Sequence, residues 1–367
     1  MAGSTPASAT GDALSLGRPA APASLWADAW RRFKHHRLAY WSLWALGLLV
    51  AAVVLGPLVY KVGINDVDFQ ARLAPPSWKH PLGTDDLGRD LLARVLYGGR
   101  ISLAVGLASM VVAIAVGVTV GAIAGMSRGW VDAFLMWVTD LFLSMPQLPM
   151  LLVLIFFFRE GLKSLVGPEV GIFVLIVLVI GGFRWMPAAR VVRAQFFSLR
   201  EKEFVEAARA LGASTQRQMV RHILPNSLGP VIVAATIDVA AAIILESTLS
   251  FLGLGFPPDI PTWGRLLFDA KDYLDIAMHW SLFPGLAIFI TVLSISFITV
   301  LAVTLLPQPD SPTTPTVSPR SSAMSTPSTA CSQPSSVLKW VFRPLISSSA
   351  MARERAGGRA RRAGRRR

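Results

Sequence analysis

Four ionisable residues fall inside apolar stretches where charge is expensive: Asp140, Arg184, Asp238 and Glu246. Near a bilayer centre each costs roughly 3 kcal/mol unless it turns inward or finds a partner. Two kinds of chemistry fit them. One is contact with a solute or ion in a polar cavity; the other is pairing between helices, for instance Arg184 with Asp140 or Asp238. Their spacing does not resemble a proton-relay series. Pro146 and Pro149, in Ser-Met-Pro-Gln-Leu-Pro, should break or kink their span and free carbonyls that a protein-lined cavity can satisfy. A transport path and an ordinary kink both fit that pattern.

Other chemistries lack their residues. No G-x-x-x-x-G-K-[ST] run is present, and the nearest, Gly161-Leu162-Lys163-Ser164, lacks the glycine–lysine step, so no phosphate cradle is expected. Neither H-E-x-x-H nor Gly-x-Ser-x-Gly occurs. The histidines His35, His36, His80, His222 and His279 are scattered and are expected to be solvated or interfacial. The segment His80–Asp90 packs Asp85, Asp86 and Asp90 around Gly83 and Gly88, without the D-x-D-x-D-G spacing of a calcium loop. It reads as a structured turn or docking surface. The single cysteine, Cys331, excludes an internal disulfide framework and a Cys-based zinc site. No catalytic residue, metal or cofactor is expected.

The elements that carry these residues are membrane helices. The chain is 53% hydrophobic and 16% charged over 367 residues, which places it among membrane proteins. Its net charge of +13 does not point to nucleic acid, because Lys and Arg gather before the first span, in one loop and in the tail. Residues 1–38 lack the pattern of a cleaved signal and read as a disordered cytoplasmic arm. About 20 apolar residues cross a ~30 Å hydrocarbon core. Six such runs lie near 39–60, 101–126, 133–158, 170–187, 229–247 and 280–306. The expected fold is therefore an all-α integral membrane protein of six transmembrane helices within 39–306. Lys and Arg number 13 on one side, tail excluded, and 10 on the other, which puts both termini and the 188–228 loop in the cytoplasm. Residues 307–367 are rich in Ser, Pro and Arg and read as disordered.

The polar loop 198–226 is longer than a connection needs. Ser198 with Glu201 matches a capping box, and Phe204, Ala207, Ala208 and Leu211 form a narrow apolar stripe. Gly212 can take the left-handed conformation that closes a helix. Thr215 with Gln218 is a second capping box, and Pro225 should stop the second helix. Two short helices meeting at a glycine elbow look built to be gripped.

Glu206-Ala207-Ala208, then Gly212, then Leu224-Pro225, resemble the E-A-A-x-x-x-G…I-x-L-P loop of permease subunits of bacterial ABC importers. The pattern's Ile falls on His222, a departure. HPLGTDDLGRDLLARVLYGGRISL at 80–103 and ESTLSFLGLGFPPDIPTWGRLL at 246–267, then Trp280 and Pro284-Gly285, narrow the resemblance to the C-type subunit of the dipeptide/oligopeptide/nickel branch. It covers about 30–306. The resemblance implies a type I ABC importer permease fold in the bacterial inner membrane, with 198–226 as the coupling-helix loop. It implies Glu206, Ala207, Ala208, Gly212, Leu224 and Pro225 as the ATPase-coupling residues. The implied partners are a B-type permease, two cytoplasmic ABC ATPase subunits that bind the ATP, and an extracytoplasmic substrate-binding protein. Members usually follow the last span with a G-D-x-L-R-D-x-L-D-P segment, which is missing. A true extension and a reading-frame slip near 295–300 both explain this. A stand-alone channel or secondary transporter is the competing class, although it needs no docking elbow.

Overall fold

Asp90 caps a helix of 36 residues that runs from Leu91 to Met126. Its Oδ1 accepts from the Ala93 amide at 2.9 Å, satisfying one of the first-turn donors that a helix leaves orphaned. The computed structural model describes residues 37–127 and 129–305. Most of the N-terminal arm, the tail with Cys331, and the histidines at 35 and 36 lie outside the described residues. The described residues are helical apart from loops and two isolated antiparallel bridges, Val67 with Arg89 and Thr84 with Asp90.

In chain order, α1 is Arg37–Val59, α2 Leu91–Met126, α3 Trp130–Ser144, α4 Gln147–Val166, α5 Pro168–Gly182 and α6 Trp185–Leu199. Then follow α7 Glu203–Ala210, α8 Thr215–Phe251, α9 Trp263–Ala270 and α10 Met278–Leu305. Four of these are long and apolar enough to cross a membrane. The number reaches six only if α3 with α4, bent by 89°, and α5 with α6, bent by 43°, each count as one span. The 89° bend falls where the Ser-Met-Pro-Gln stretch was expected to break the helix. Pro149 is tolerated in the first turn of α4, where no intrahelical N–H is lost.

At 1.5 Å per residue the 36 residues of α2 reach about 54 Å, well beyond the hydrocarbon core. The apolar run suggested a start at 101. The helix begins ten residues earlier, because Arg94 and Arg100 find protein acceptors: Arg100 donates to the carbonyls of Val53 and Val54.

α2 is the central element, packed against α1, α5, α6, α8, α9 and α10. Val105 of α2, Ile176 and Ile180 of α5, Leu151 and Ile155 of α4 and Leu249 of α8 form one core cluster. Ala122, Val192, Phe196, Val205 and Ile223 form a second. Between α2 and α6 the backbones approach closely at Gly117, Gly121 and Gly125, where a Cβ would stand 2.7 Å from Ala188 Cβ, 2.5 Å from the Ala189 carbonyl and 2.5 Å from Phe196 Cβ. Small residues at every fourth position are how membrane helices without a hydrophobic drive pack tightly.

Candidate functional site

The intramembrane charges are spent on one another. Arg184 sits at the bend between α5 and α6 and donates from Nη2 to Asp238 Oδ1 of α8 at 2.5 Å. Asp238 is buried. Asp140 of α3 does not join them; it accepts from Arg190, one helical turn and a half further along α6. Arg193 then grips Asp132 of α3 with two bonds of 2.6 Å, a fork matched to a carboxylate. So Arg184 at the bend and Arg190 and Arg193 on α6 face three aspartates on two helices. Of the two partners open to Arg184, the bend between α5 and α6 directs it to Asp238.

Glu246 of α8 is fully buried. Its Oε1 accepts from Ser250 Oγ at 2.8 Å and its Oε2 from Ser102 Oγ at 3.1 Å. Ser102 also accepts from the Trp263 amide at 3.3 Å, so the carboxyl ties α8 to α2 and α9. No arginine or lysine pairs with Glu246 among the described residues.

The 198–226 loop differs in detail from its expected form. Ser198 and Glu201 do not cap a helix. α6 runs on to Leu199, held by Phe196 against α2, and α7 begins at Glu203 behind Lys202. The inner face of α7 is Val205 and Ala208, both buried. The expected stripe is split: Ala208 points inward, whereas Phe204, Ala207 and Leu211 lie outward, Leu211 at 89% exposure. Glu206 is also exposed.

Gly212, at φ +82°, closes α7. Its amide donates to the Arg209 carbonyl at 2.9 Å and that of Ala213 to the Ala208 carbonyl at 3.0 Å, the paired bonds of a Schellman motif. The second cap is Ser214, one residue before Thr215: its Oγ accepts from the Arg217 amide at 3.4 Å, and Gln218 reaches back to the Ala213 carbonyl at 2.7 Å. Pro225 does not stop the second helix. Residues Gln218–Ile223 form a π turn, in which the Leu224 amide bonds five residues back to Met219. The wider turn relieves the clash a proline ring makes with the carbonyl four residues earlier. α8 then continues through Leu224 and Pro225 to Phe251.

Residues 117–308 match the family described as "Binding-protein-dependent transport system inner membrane component", and 24–76 match the "N-terminal TM domain of oligopeptide transport permease C". The chain belongs to the binding-protein-dependent transport permease family. It is 39% identical over 277 residues to the oligopeptide transport system permease protein OppC of Escherichia coli K12, covering 75% of this chain and 88% of that one. Its identity to the OppC of Mycobacterium bovis is 42% over 240 residues, 65% and 79% of the two chains. An amino acid ABC transporter crystallised with histidines aligns at a TM-score of 0.41 and 16% identity, over 57% of this chain and 91% of that one.

Two features of the permease escaped its motifs. His80 is buried rather than solvated: its Nδ1 lies 2.8 Å from Asp90 Oδ2, which also accepts from Tyr60 Oη at 2.8 Å. The Tyr60 hydroxyl is pushed up by burial and then by that carboxylate. Asp85 is spent as well, accepting from the amides of Leu87 and Arg89 and from Arg89 Nε at 2.6 Å. The second feature is a cavity of about 320 Å³ lined by Asn65, Tyr97, Glu169, Phe173, Phe256 and Asp259 among others. Its walls come from four separate segments, so no local pattern announces it.

Proposed function

We propose that this permease is one half of the translocation path of an ATP-driven importer of peptides and related small solutes. A B-type permease supplies the other half, two cytoplasmic ABC ATPases supply the energy, and an extracytoplasmic binding protein delivers the solute to the inner membrane. The bent helix pairs count as single spans, which gives six and leaves both termini with the 198–226 loop on the cytoplasmic side. In this reading α7 is the coupling helix. The observation that carries it is the outward face of Phe204, Ala207 and Leu211, beside Glu206, on a helix whose other face is anchored by Val205 and Ala208. Such a helix offers apolar and acidic contacts to a cleft on a partner and hands the push to the core beneath it.

Gly212 would set the angle between α7 and α8, and Leu224 and Pro225 would lie at the root of the moving segment. Asp140, Pro146, Pro149, Arg184, Asp238 and Glu246 are assigned to holding the path's helices together rather than to touching solute, since each of the four charged groups has a protein partner. ATP-driven closure of the ATPase pair would displace α7 and switch the access of the cavity.

The test is reconstitution of the tagged chain with its genomic neighbours. An ATPase should co-purify, and vesicles should take up peptide only with ATP. Gly212→Val places a branched side chain at φ +82°, where it is strained. It should leave the complex assembled and hydrolysing ATP while uptake falls. Uptake at the parental rate in that variant would end the lever account. Uptake by the purified chain alone would make it a channel or secondary transporter.

A further inference from the structure

A buried arginine sits at each end of α2. Arg200, in the link between α6 and α7, donates from Nη1 to the carbonyls of Gly125 at 2.9 Å and Ser127 at 3.4 Å. Its guanidinium also stacks 3.8 Å from the Phe197 ring centroid. The last carbonyls of a helix lack intrahelical partners and carry its negative pole, so a cation there is held by two effects at once. At the opposite end Arg94, with no exposed surface, donates to the carbonyls of Ile64 at 3.3 Å and Pro258 at 3.1 Å, and to Asn65 Oδ1 at 3.4 Å. Arg200 therefore grips the C-terminal backbone of α2 from outside the helix, and Arg94 reaches from inside it to backbone of segments that the helix does not contain.

Two helices lead away from α7, and they differ in stiffness. α8 passes into the π turn Gln218–Ile223 after Arg217 and carries Pro225 and Pro230 in its N-terminal half. Each of these interrupts the hydrogen-bond ladder that makes a helix stiff. α2 contains no proline and no break over 36 residues, and the glycine seam with α6 leaves no slack between the two.

We propose that α2 works as a strut: Arg200 clamps it to the root of α7, Arg94 clamps it to the 61–66 and 256–260 segments, and displacement of α7 reaches those segments through α2. The inference rests on the importer reading for the source of the displacement, not for the clamp itself. Arg94 and Arg200 are positioning residues. α8, with its interrupted start, is the compliant neighbour. The segments that receive the motion include Asn65, Phe256 and Asp259, which line the 320 Å³ cavity, so the strut delivers movement of the loop to that cavity's mouth.

The clamp is tested by spin labels at Ser127→Cys and Lys202→Cys in the full chain carrying Cys331→Ser. In the parental background the label separation should be the same in the nucleotide-free complex and in the complex trapped with ATP and vanadate. Arg200→Ala should broaden the separation even in the purified chain. In the complex it should lose uptake at unchanged ATP hydrolysis, and Arg200→Lys, which keeps one donor for Gly125, should restore part of the uptake. A parental separation that changes with nucleotide overturns the strut, as does Arg200→Ala with an unbroadened separation. If no ATPase binds the chain, the importer reading falls, while broadening in the purified Arg200→Ala chain would still uphold the clamp.

Discussion

Gly121→Ala adds one methyl group where α2 and α6 come closest. Its carbon would stand 2.5 Å from the Ala189 carbonyl oxygen, 2.8 Å from Val192 Cβ and 3.1 Å from Ala189 Cα. A flexible side chain could turn aside, but a helix carbonyl can retreat only if α6 moves with it. Overpacking of this kind costs about 1–3 kcal/mol. Alanine's better helix propensity returns about 1 kcal/mol, which would blur the result if this variant were measured alone. Gly161→Ala in α4 supplies the correction, because it gains the same propensity with nothing within 4 Å of the new atom. The two variants should therefore differ by about 1–3 kcal/mol, the packing cost alone. Equilibrium unfolding by SDS in mixed micelles, followed by circular dichroism, measures both. Gly121→Ala should shift the midpoint to less SDS than the parent or match it, and Gly161→Ala should shift it to more. If the two agree within about 0.5 kcal/mol, the ordinary scatter of neutral substitutions, α2 and α6 are not seamed at Gly121.

The Arg184–Asp238 pair should behave as a unit. Arg184→Met or Asp238→Leu alone strands a buried charge and should cost about 3–5 kcal/mol, whereas the double variant should be nearly neutral; costs that simply add in the same SDS titration would refute the pairing. Ser214→Ala should weaken the start of α8 by about 0.5–1 kcal/mol, the low end for a cap whose bond is long, and Thr215→Ala should not. Amide hydrogen exchange at Arg217 distinguishes them, and the reverse order would restore the box read from the sequence. Burial raises the Asp269 carboxyl above its ordinary 3.8 against the pull of Arg265. The folded chain then holds that proton more tightly than the unfolded one, so the contribution is full below 3.8 and lost as pH rises through the raised value. Asp269→Asn should flatten the matching slope of thermal stability against pH, and an unchanged slope would assign it elsewhere.

The helices were legible where the cause is local. Gly212 closes α7 because the residue at that turn needs positive φ, and glycine is the residue that adopts it without strain. The bend at Met145-Pro146 follows from a proline that cannot continue the ladder of α3. What stayed hidden depends on partners distant in sequence. Arg94 reads as a loop charge until residues 64–65 and 258 bring it acceptors, and only then can α2 start at Leu91. Ser198 and Glu201 satisfy a capping pattern, yet Phe196 packs on α2 and keeps α6 helical past them. Pro225 ends a helix of ordinary register; a π turn just before it changes the register and the rule no longer applies. The role assigned to α7 rests on chemistry that a partner would complete, and a single chain displays only one side of it.

The pairs along α6 are unequal, and the inequality orders the motion. Arg184–Asp238 is buried, with side chains 18% and 4% exposed, so parting it leaves charge where water cannot follow. Arg190–Asp140 is more than half exposed on both sides, a pair worth about 0–1 kcal/mol in an aqueous setting. α3 buries only Thr139 in its 15 residues and holds to α6 through the Arg193–Asp132 fork, the exposed Arg190–Asp140 pair and Phe142 against Trp185. A helix with so little buried surface opens at lower free energy than its neighbours. If α6 shifts with α2 as the proposed strut requires, the contact that yields first is the one to α3, while the one to α8 is carried along. Asp132→Asn should then speed hydrogen exchange across α3 and leave α6 and α8 at the parental rate; equal acceleration in all three would mean that α6 holds its neighbours alike.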